Sequence, residues 1–159
     1  MTFIIQVLFL APVLSVAQRS YAAVMPAPWR RRGFEAERRL VKLLSKRPSA
    51  YVFRVPVSGS RAVPDAKTAL PDVFMVDNVR GEIAAFEVKA TSKSKVAVKA
   101  EQLAKLFKFL DAFKRYDNRY AVVAVWFSKD GKWVFKLARE EFPLSDMVIR
   151  NSDESDWEP

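Results

Sequence analysis

Asp72, Glu87 and Lys89 are the residues of this chain whose types and spacing could do chemistry together. They lie in LPDVFMVDNVRGEIAAFEVK, residues 70–89. This stretch holds a Pro71-Asp72 pair, an apolar run, a polar turn, and a second apolar run ending Glu87-Val88-Lys89. Side chains alternate along a strand, so residues two apart share a face. If both runs are strands of one hairpin, Glu87 and Lys89 point the same way and Asp72 lies beside them. Two carboxylates suit Mg²⁺, with Mn²⁺ able to substitute, because the ion takes one or two carboxylates and fills its octahedron with water and phosphate oxygens. The lysine would offset phosphate charge or help a water lose its proton. Together these are the means of phosphodiester hydrolysis. Glu-x-Lys on a strand is also a common solvated face, so the flanking sequence has to decide.

The 159 residues, half of them hydrophobic, are enough for one domain with a proper core. Histidine and cysteine are both absent. That removes Ser-His-Asp and Cys-His catalysis, thiol redox chemistry, disulfides and Cys/His zinc sites. A hydrolase built from the remaining residues must use carboxylates, Lys, Tyr or Ser, for which an oxygen-held metal is the natural complement. The absence of cysteine fits a reducing, cytoplasmic compartment. Net charge is +9, but residues 140–159 carry seven acidic side chains against Arg150 alone, so the rest of the chain is +15. A body this basic suits a polyanion such as nucleic acid.

The elements that must position these residues follow from periodicity. A helix is predicted over residues 33–46, closed by Pro48, with Phe34, Leu40, Val41 and Leu44 on one face. Glu37 falls inside that apolar face and Glu35 opposite it. A carboxylate there needs a partner or a metal, which singles out Glu37; a buried ion pair with a nearby Arg or Lys is the plain alternative. Residues 51–57 read as a short strand, with Pro56 marking an edge or bend. A polar loop with a second Pro-Asp pair, Pro64-Asp65, follows; no apolar run succeeds it, so Asp72 is the better ligand. The hairpin turn is DNVRG, residues 77–81. Residues 90–100, rich in Lys and Ser, read as a mobile phosphate-contacting loop. A helix over residues 100–116, a central strand over 120–127 and a last strand over 132–137 complete an α/β domain with a mixed sheet. The domain runs over residues 25–139, and residues 140–159 form a loosely ordered acidic tail.

Taken in order, these blocks resemble the archaeal Holliday junction resolvases of the PD-(D/E)XK nuclease superfamily. The matching residues are Gly33-Phe34-Glu35-Ala36-Glu37-Arg38-Arg39-Leu40, then Arg54 with Ser58-Gly59-Ser60, Pro71-Asp72, Glu87-Val88-Lys89, and Glu101-Gln102. They span about residues 30–138. Two features depart from the pattern: the loop between Ser60 and Asp72 is long, and Ala97 stands where relatives often carry Tyr. The resemblance implies a restriction-endonuclease-like fold with a central five-stranded sheet flanked by helices, and a homodimer that cuts four-way DNA junctions by paired nicks, using Mg²⁺. It implies Glu37, Asp72 and Glu87 as metal ligands, Lys89 as the charge-stabilising or water-activating residue, and Ser60 as a phosphate-contacting helper.

The expected mechanism is in-line attack by a metal-activated water, leaving 5′-phosphate and 3′-hydroxyl ends. Arg30, Arg31, Arg32, Arg54, Ser58, Arg61, Lys93, Lys95 and Lys99 are candidate DNA contacts, favouring the backbone over sequence. No small-molecule cofactor is expected. Rival readings are a related nuclease acting on duplex or flap DNA, and a basic DNA-binding module whose carboxylates form structural ion pairs only. Residues 1–24 form an apolar extension. Its run over 3–17 is short for a membrane span and lacks the positive start of a signal peptide. A mis-assigned start, with translation from Met25, suits an intracellular nuclease, and no membrane partner is expected unless residues 3–17 are a genuine anchor.

Overall fold

A computed structural model describes residues 28–55 and 70–159, and of residues 28–30 the backbone alone. The expectations for residues 1–24, Ser58, Ser60, Arg61, Pro64-Asp65 and the Arg30 side chain lie outside the described residues.

The first helix, α1, spans Pro28–Leu44 and so begins earlier than its periodicity predicts. Proline is at home in the first turn, where its missing N–H has no intrahelical partner to lose. Arg31 and Arg32 therefore stand on a helix. Ala36, Leu40 and Leu44 form the buried stripe of α1, whereas Phe34 is 37% exposed. Next come β1 (Ala50–Arg54), β2 (Val73–Asp77), β3 (Glu82–Thr91) and β4 (Lys95–Val98). Helix α2 (Ala100–Leu110) runs into a 3₁₀ turn over Asp111–Phe113, shorter than the helix the sequence predicts. The remaining strands are β5 (Asn118–Phe127), β6 (Lys132–Leu137) and β7 (Met147–Arg150).

Five strands make a mixed sheet in the order β1-β2-β3-β5-β6, with β3 and β5 parallel and the other neighbours antiparallel. The β2–β3 hairpin is the predicted one. Its turn is held by Asp77, a fully buried residue whose carboxylate accepts from Ser49 Oγ at 2.8 Å and from the N–H groups of Val79 and Arg80 at 3.1 Å. Gly81 closes the turn at φ +61°, a conformation that glycine adopts without a Cβ clash.

Alternation along β3 divides the core. Ala84, Phe86 and Val88 face α1, packing with Leu40, Leu44, Val73, Met75 and Val122. Ile83 and Ala85 face α2, packing with Leu106 and Leu110. Continuing the period of two puts Glu87 and Lys89 on the α2 face.

Two expectations are corrected. Residues 90–100 are not a mobile loop: β3 runs on to Thr91, and β4 pairs antiparallel with β7 in a separate two-stranded sheet. Nor is the acidic tail loosely ordered. β7 buries Ile149, and Trp157 inserts edge-on against Phe86 and Phe135, with ring centroids 5.2 and 5.6 Å away. Between them the tail covers the open edge of β6: Ser155 Oγ accepts the Phe135 N–H at 3.0 Å and Asp156 Oδ1 accepts that of Leu137 at 2.6 Å. Ser155 and Asp156 thus cap backbone donors that a sheet edge would leave exposed.

Candidate active site

Asp72 lies one residue before the paired register of β2 and β3, whose last partners are Val73 and Phe86. The next step along the ladder sets Asp72 beside Glu87. The Asp72 N–H donates to the Phe86 carbonyl at 2.9 Å, and Asp72 Oδ2 accepts the Val88 N–H at 2.8 Å. The carboxylate thus folds back onto the backbone between Glu87 and Lys89.

Glu87 Oε1 takes two donors, Lys89 Nζ at 2.5 Å and Gln102 Nε2 at 2.7 Å. Among the described residues, no hydrogen bond reaches Glu87 Oε2 or Asp72 Oδ1. Glu87 and Lys89 are mostly enclosed, with side chains 13% and 27% exposed. Asp72 carries the strain of this arrangement. Burial, and then the like charge of Glu87, push its carboxyl up to about 7; Glu37 adds to the rise, while the Val88 N–H and Lys89 offset part of it.

Glu37 stands apart. Its Oε2 accepts from Arg54 Nε at 2.6 Å, and the Arg54 guanidinium lies 5.1 Å from the centre of the Phe34 ring. Among the described residues no three acidic side chains stand close enough to share one cation, so the structure does not gather Glu37, Asp72 and Glu87 into a three-carboxylate cage. The ion pair weighed for Glu37 at the outset is the arrangement present, because a half-buried carboxylate within reach of an arginine gains a charge-assisted hydrogen bond. Asp72 and Glu87 remain a fitting donor pair for Mg²⁺. Among the described residues each keeps an oxygen outside the protein's hydrogen bonds, and a cation between them would offset the burial and like charge that raise the Asp72 carboxyl.

Gln102 is the contact that sequence reasoning missed. It belongs to the Glu101-Gln102 block, and its place three residues after Lys99, at the start of α2, is the available signal for a side chain turned back toward the helix start. Of the candidate DNA contacts, Arg31, Lys93 and Lys95 are exposed. Arg32 rims a cavity of about 290 Å³ with Arg39, Thr91 and Trp126. Lys99 is tied to Asp146 at 2.7 Å.

Residues 29–142 match the family model described as Hjc, archaeal Holliday junction resolvase. The chain belongs to the archaeal Holliday junction resolvase family. As the order of its motifs implied, the resolvase resemblance holds across the domain. The crossover junction endodeoxyribonuclease Hje of Sulfolobus acidocaldarius is 38% identical over 109 residues, covering 68% of this chain and 70% of that protein. The Hje enzyme of Saccharolobus islandicus is 34% identical over 117 residues, covering 74% of this chain and 77% of that protein. The structure of Archaeoglobus fulgidus Hjc, a Holliday junction resolvase, superposes with a TM-score of 0.54 at 22% identity, covering 76% of this chain and 84% of that one. This resolvase-family chain thus has the mixed five-stranded sheet with flanking helices expected of a restriction-endonuclease-like fold.

Proposed function

We propose that this protein is an endonuclease that resolves four-way DNA junctions by metal-dependent phosphodiester hydrolysis, giving paired nicks with 5′-phosphate and 3′-hydroxyl ends. One observation carries the reading: Asp72, Glu87 and Lys89 converge on one face of β2 and β3, inside the stretch matched by the resolvase family. Asp72 and Glu87 would hold Mg²⁺, or Mn²⁺ in its place. When bound, the ion offsets charge on the scissile phosphate and makes a water easier to deprotonate.

Each protein group has a part that its surroundings suit. Asp72 must give up the proton that burial favours before its free oxygen can serve as a ligand. Lys89, beside Glu87, would set its Nζ where negative charge develops on the phosphate. Glu37 orients the margin of the site by fixing Arg54, whose guanidinium would contact the DNA backbone. Arg31, Arg32, Lys93 and Lys95 supply backbone contacts that carry affinity and strong salt dependence.

The protein acts as a homodimer, since a two-fold assembly presents two equivalent sites to a pseudo-symmetric junction. An aromatic surface supports this: Tyr51 and Phe53 are 66% and 52% exposed, and Phe53 stacks on Phe74, which in turn meets Phe109 and Phe113. A four-way DNA junction as substrate would place the site of action in the cytoplasm.

The test is cleavage of a labelled four-way junction in Mg²⁺, beside linear duplex and flap controls, by the wild type and Asp72→Asn. Paired nicks in the junction alone, lost in the variant while binding is kept, support the reading. Equal cutting of linear DNA removes the junction assignment. Binding without cutting in Mg²⁺ or Mn²⁺ removes the enzyme and leaves a DNA-binding module.

A further inference from the structure

The C-terminal segment reaches the candidate site through a chain of hydrogen bonds. The last pair of the β4–β7 ladder is Val98 with Met147, which brings Asp146 beside Lys99. Asp146 Oδ1 accepts the Ala100 N–H at 3.0 Å, and Asp146 Oδ2 accepts from Lys99 Nζ at 2.7 Å. Both bonds clamp the start of α2, where Lys99 is extended at φ −73°, ψ 145°. The Lys99 N–H donates to Gln102 Oε1 at 3.3 Å, and Gln102 Nε2 donates to Glu87 Oε1 at 2.7 Å. Asp146 lies beyond residues 29–142, the span of the family match.

We propose that Gln102 and Asp146 are positioning residues for Glu87, so that the C-terminal segment sets the presentation of the site's second carboxylate. This rests on the reading of Glu87 as a metal ligand. A carboxamide is nearly symmetric in shape but opposite in polarity at its two ends. Were Gln102 turned over, its carbonyl would face the Glu87 carboxylate and repel it. The Lys99 N–H prevents this by engaging the carbonyl end, and Asp146 holds that residue in place by accepting from the Ala100 N–H one residue on and from Lys99 Nζ. With Oε1 engaged by Gln102 and Lys89, Glu87 is restrained about its side-chain torsions, and Oε2 is the atom without a protein donor among the described residues. A ligand held by an outer partner in this way typically loses about 10- to 100-fold in metal affinity or activity when that partner is removed.

A plain helix cap would have Asp146 stabilise α2 and nothing more, and the test separates the two. The full chain is compared as wild type, Gln102→Ala, Asp146→Ala, Asp146→Asn and Ser155→Ala. The last removes a tail hydrogen bond away from the chain of contacts, to Phe135. Two quantities are read: the Mg²⁺ concentration for half-maximal junction cleavage, and, without metal or DNA, the Gln102 side-chain amide resonances. The expected result is an increase of about tenfold or more in the Mg²⁺ midpoint for Gln102→Ala. A smaller increase is expected for Asp146→Ala, where the Gln102 amide moves toward its free position. Asp146→Asn, which keeps an acceptor for the Ala100 N–H, should recover part of the loss, and Ser155→Ala should change neither quantity. Unmoved Gln102 resonances in Asp146→Ala, or an equal midpoint shift in Ser155→Ala, would overturn the proposal. If the wild type itself fails to cut in Mg²⁺ or Mn²⁺, the function proposed above fails, while the resonances still decide whether Asp146 orients Gln102.

Discussion

Asp72 Oδ2 accepts the Val88 N–H at 2.8 Å, which fixes one carboxylate against the backbone between the other two members of the constellation. Burial, and then the like charge of Glu87, raise the carboxyl to about 7 from its ordinary 3.8, and the Val88 N–H offsets only part of that rise. Between those values the folded protein keeps a proton that the unfolded chain has released. Stability should therefore fall as pH rises through that window and level off above it. Asp72→Asn removes the charge and keeps an oxygen to accept the Val88 N–H. It should raise stability by about 1–3 kcal/mol at pH 8 and give no gain below the ordinary carboxylate range. Urea unfolding at the two pH values, without metal, measures this. A destabilised variant at pH 8 would contradict it.

The same titration bears on activity. A protonated Asp72 cannot serve as a cation ligand, so cleavage at limiting Mg²⁺ should rise with pH through the region near 7. Saturating Mg²⁺ should move that rise to lower pH, because a bound cation favours the ionised carboxylate. Initial rates against pH at two Mg²⁺ concentrations test it; a midpoint indifferent to Mg²⁺ would exclude Asp72 as a ligand.

Arg54 and Glu37 make a half-buried pair, with side chains 28% and 15% exposed. Arg54→Ala would leave the Glu37 carboxylate without its partner close to the Asp72 charge, at a cost of about 1–3 kcal/mol. The double variant Arg54→Ala, Glu37→Gln should recover part of that loss, since the stranded charge is gone. Denaturant midpoints for the four proteins of the cycle give the coupling directly. Additive losses would mean that the pair contributes no net coupling to stability.

How much of this was legible depends on the distance along the chain between partners. The hairpin from Asp72 to Lys89 could be read because its strands, turn and alternation are all local, and alternation alone puts Glu87 with Lys89. Glu37 stood out as a carboxylate on an apolar helix face, but its partner could not be chosen among many arginines. β4 and β7 were missed because each is four residues long and flanked by charge. Their strand partners are each other, across some fifty residues of sequence. Val96 and Val98 alternate properly, yet a pattern that short is equally at home in a loop. Trp157 was hidden by its acidic neighbours, of which Asp156 caps the edge of β6.

Trp157 gives the clearest test of the tail. It is 7% exposed, sits edge-on to Phe86 and Phe135, and carries the Arg47 guanidinium 5.3 Å from its ring centre. Trp157→Ala should cost about 3–5 kcal/mol, the usual penalty for emptying an aromatic site in a core. A urea midpoint within error of the wild type would mean that the tail is dispensable to the fold.

The aromatic surface built on β1 and α2 sets the last prediction. Tyr51 and Phe53 alternate with Val52 along an edge strand, and both leave more than half their surface uncovered. Phe53 is no isolated exposed residue, since it stacks on Phe74 at 6.1 Å, and Phe74 contacts Phe109 and Phe113 at 5.0 and 5.4 Å. A contiguous apolar patch of this kind is uncommon on a monomer and suits a self-complementary contact. Phe53→Asp would place a charge at its centre, where a second copy would have to desolvate it. The variant should sediment as a monomer at concentrations where the wild type is a dimer, with little change in monomer stability because Phe53 is half exposed. On a four-way junction it should lose paired cutting and release singly nicked intermediates. A variant that stays dimeric and still cuts in pairs would move the interface to another face of the molecule.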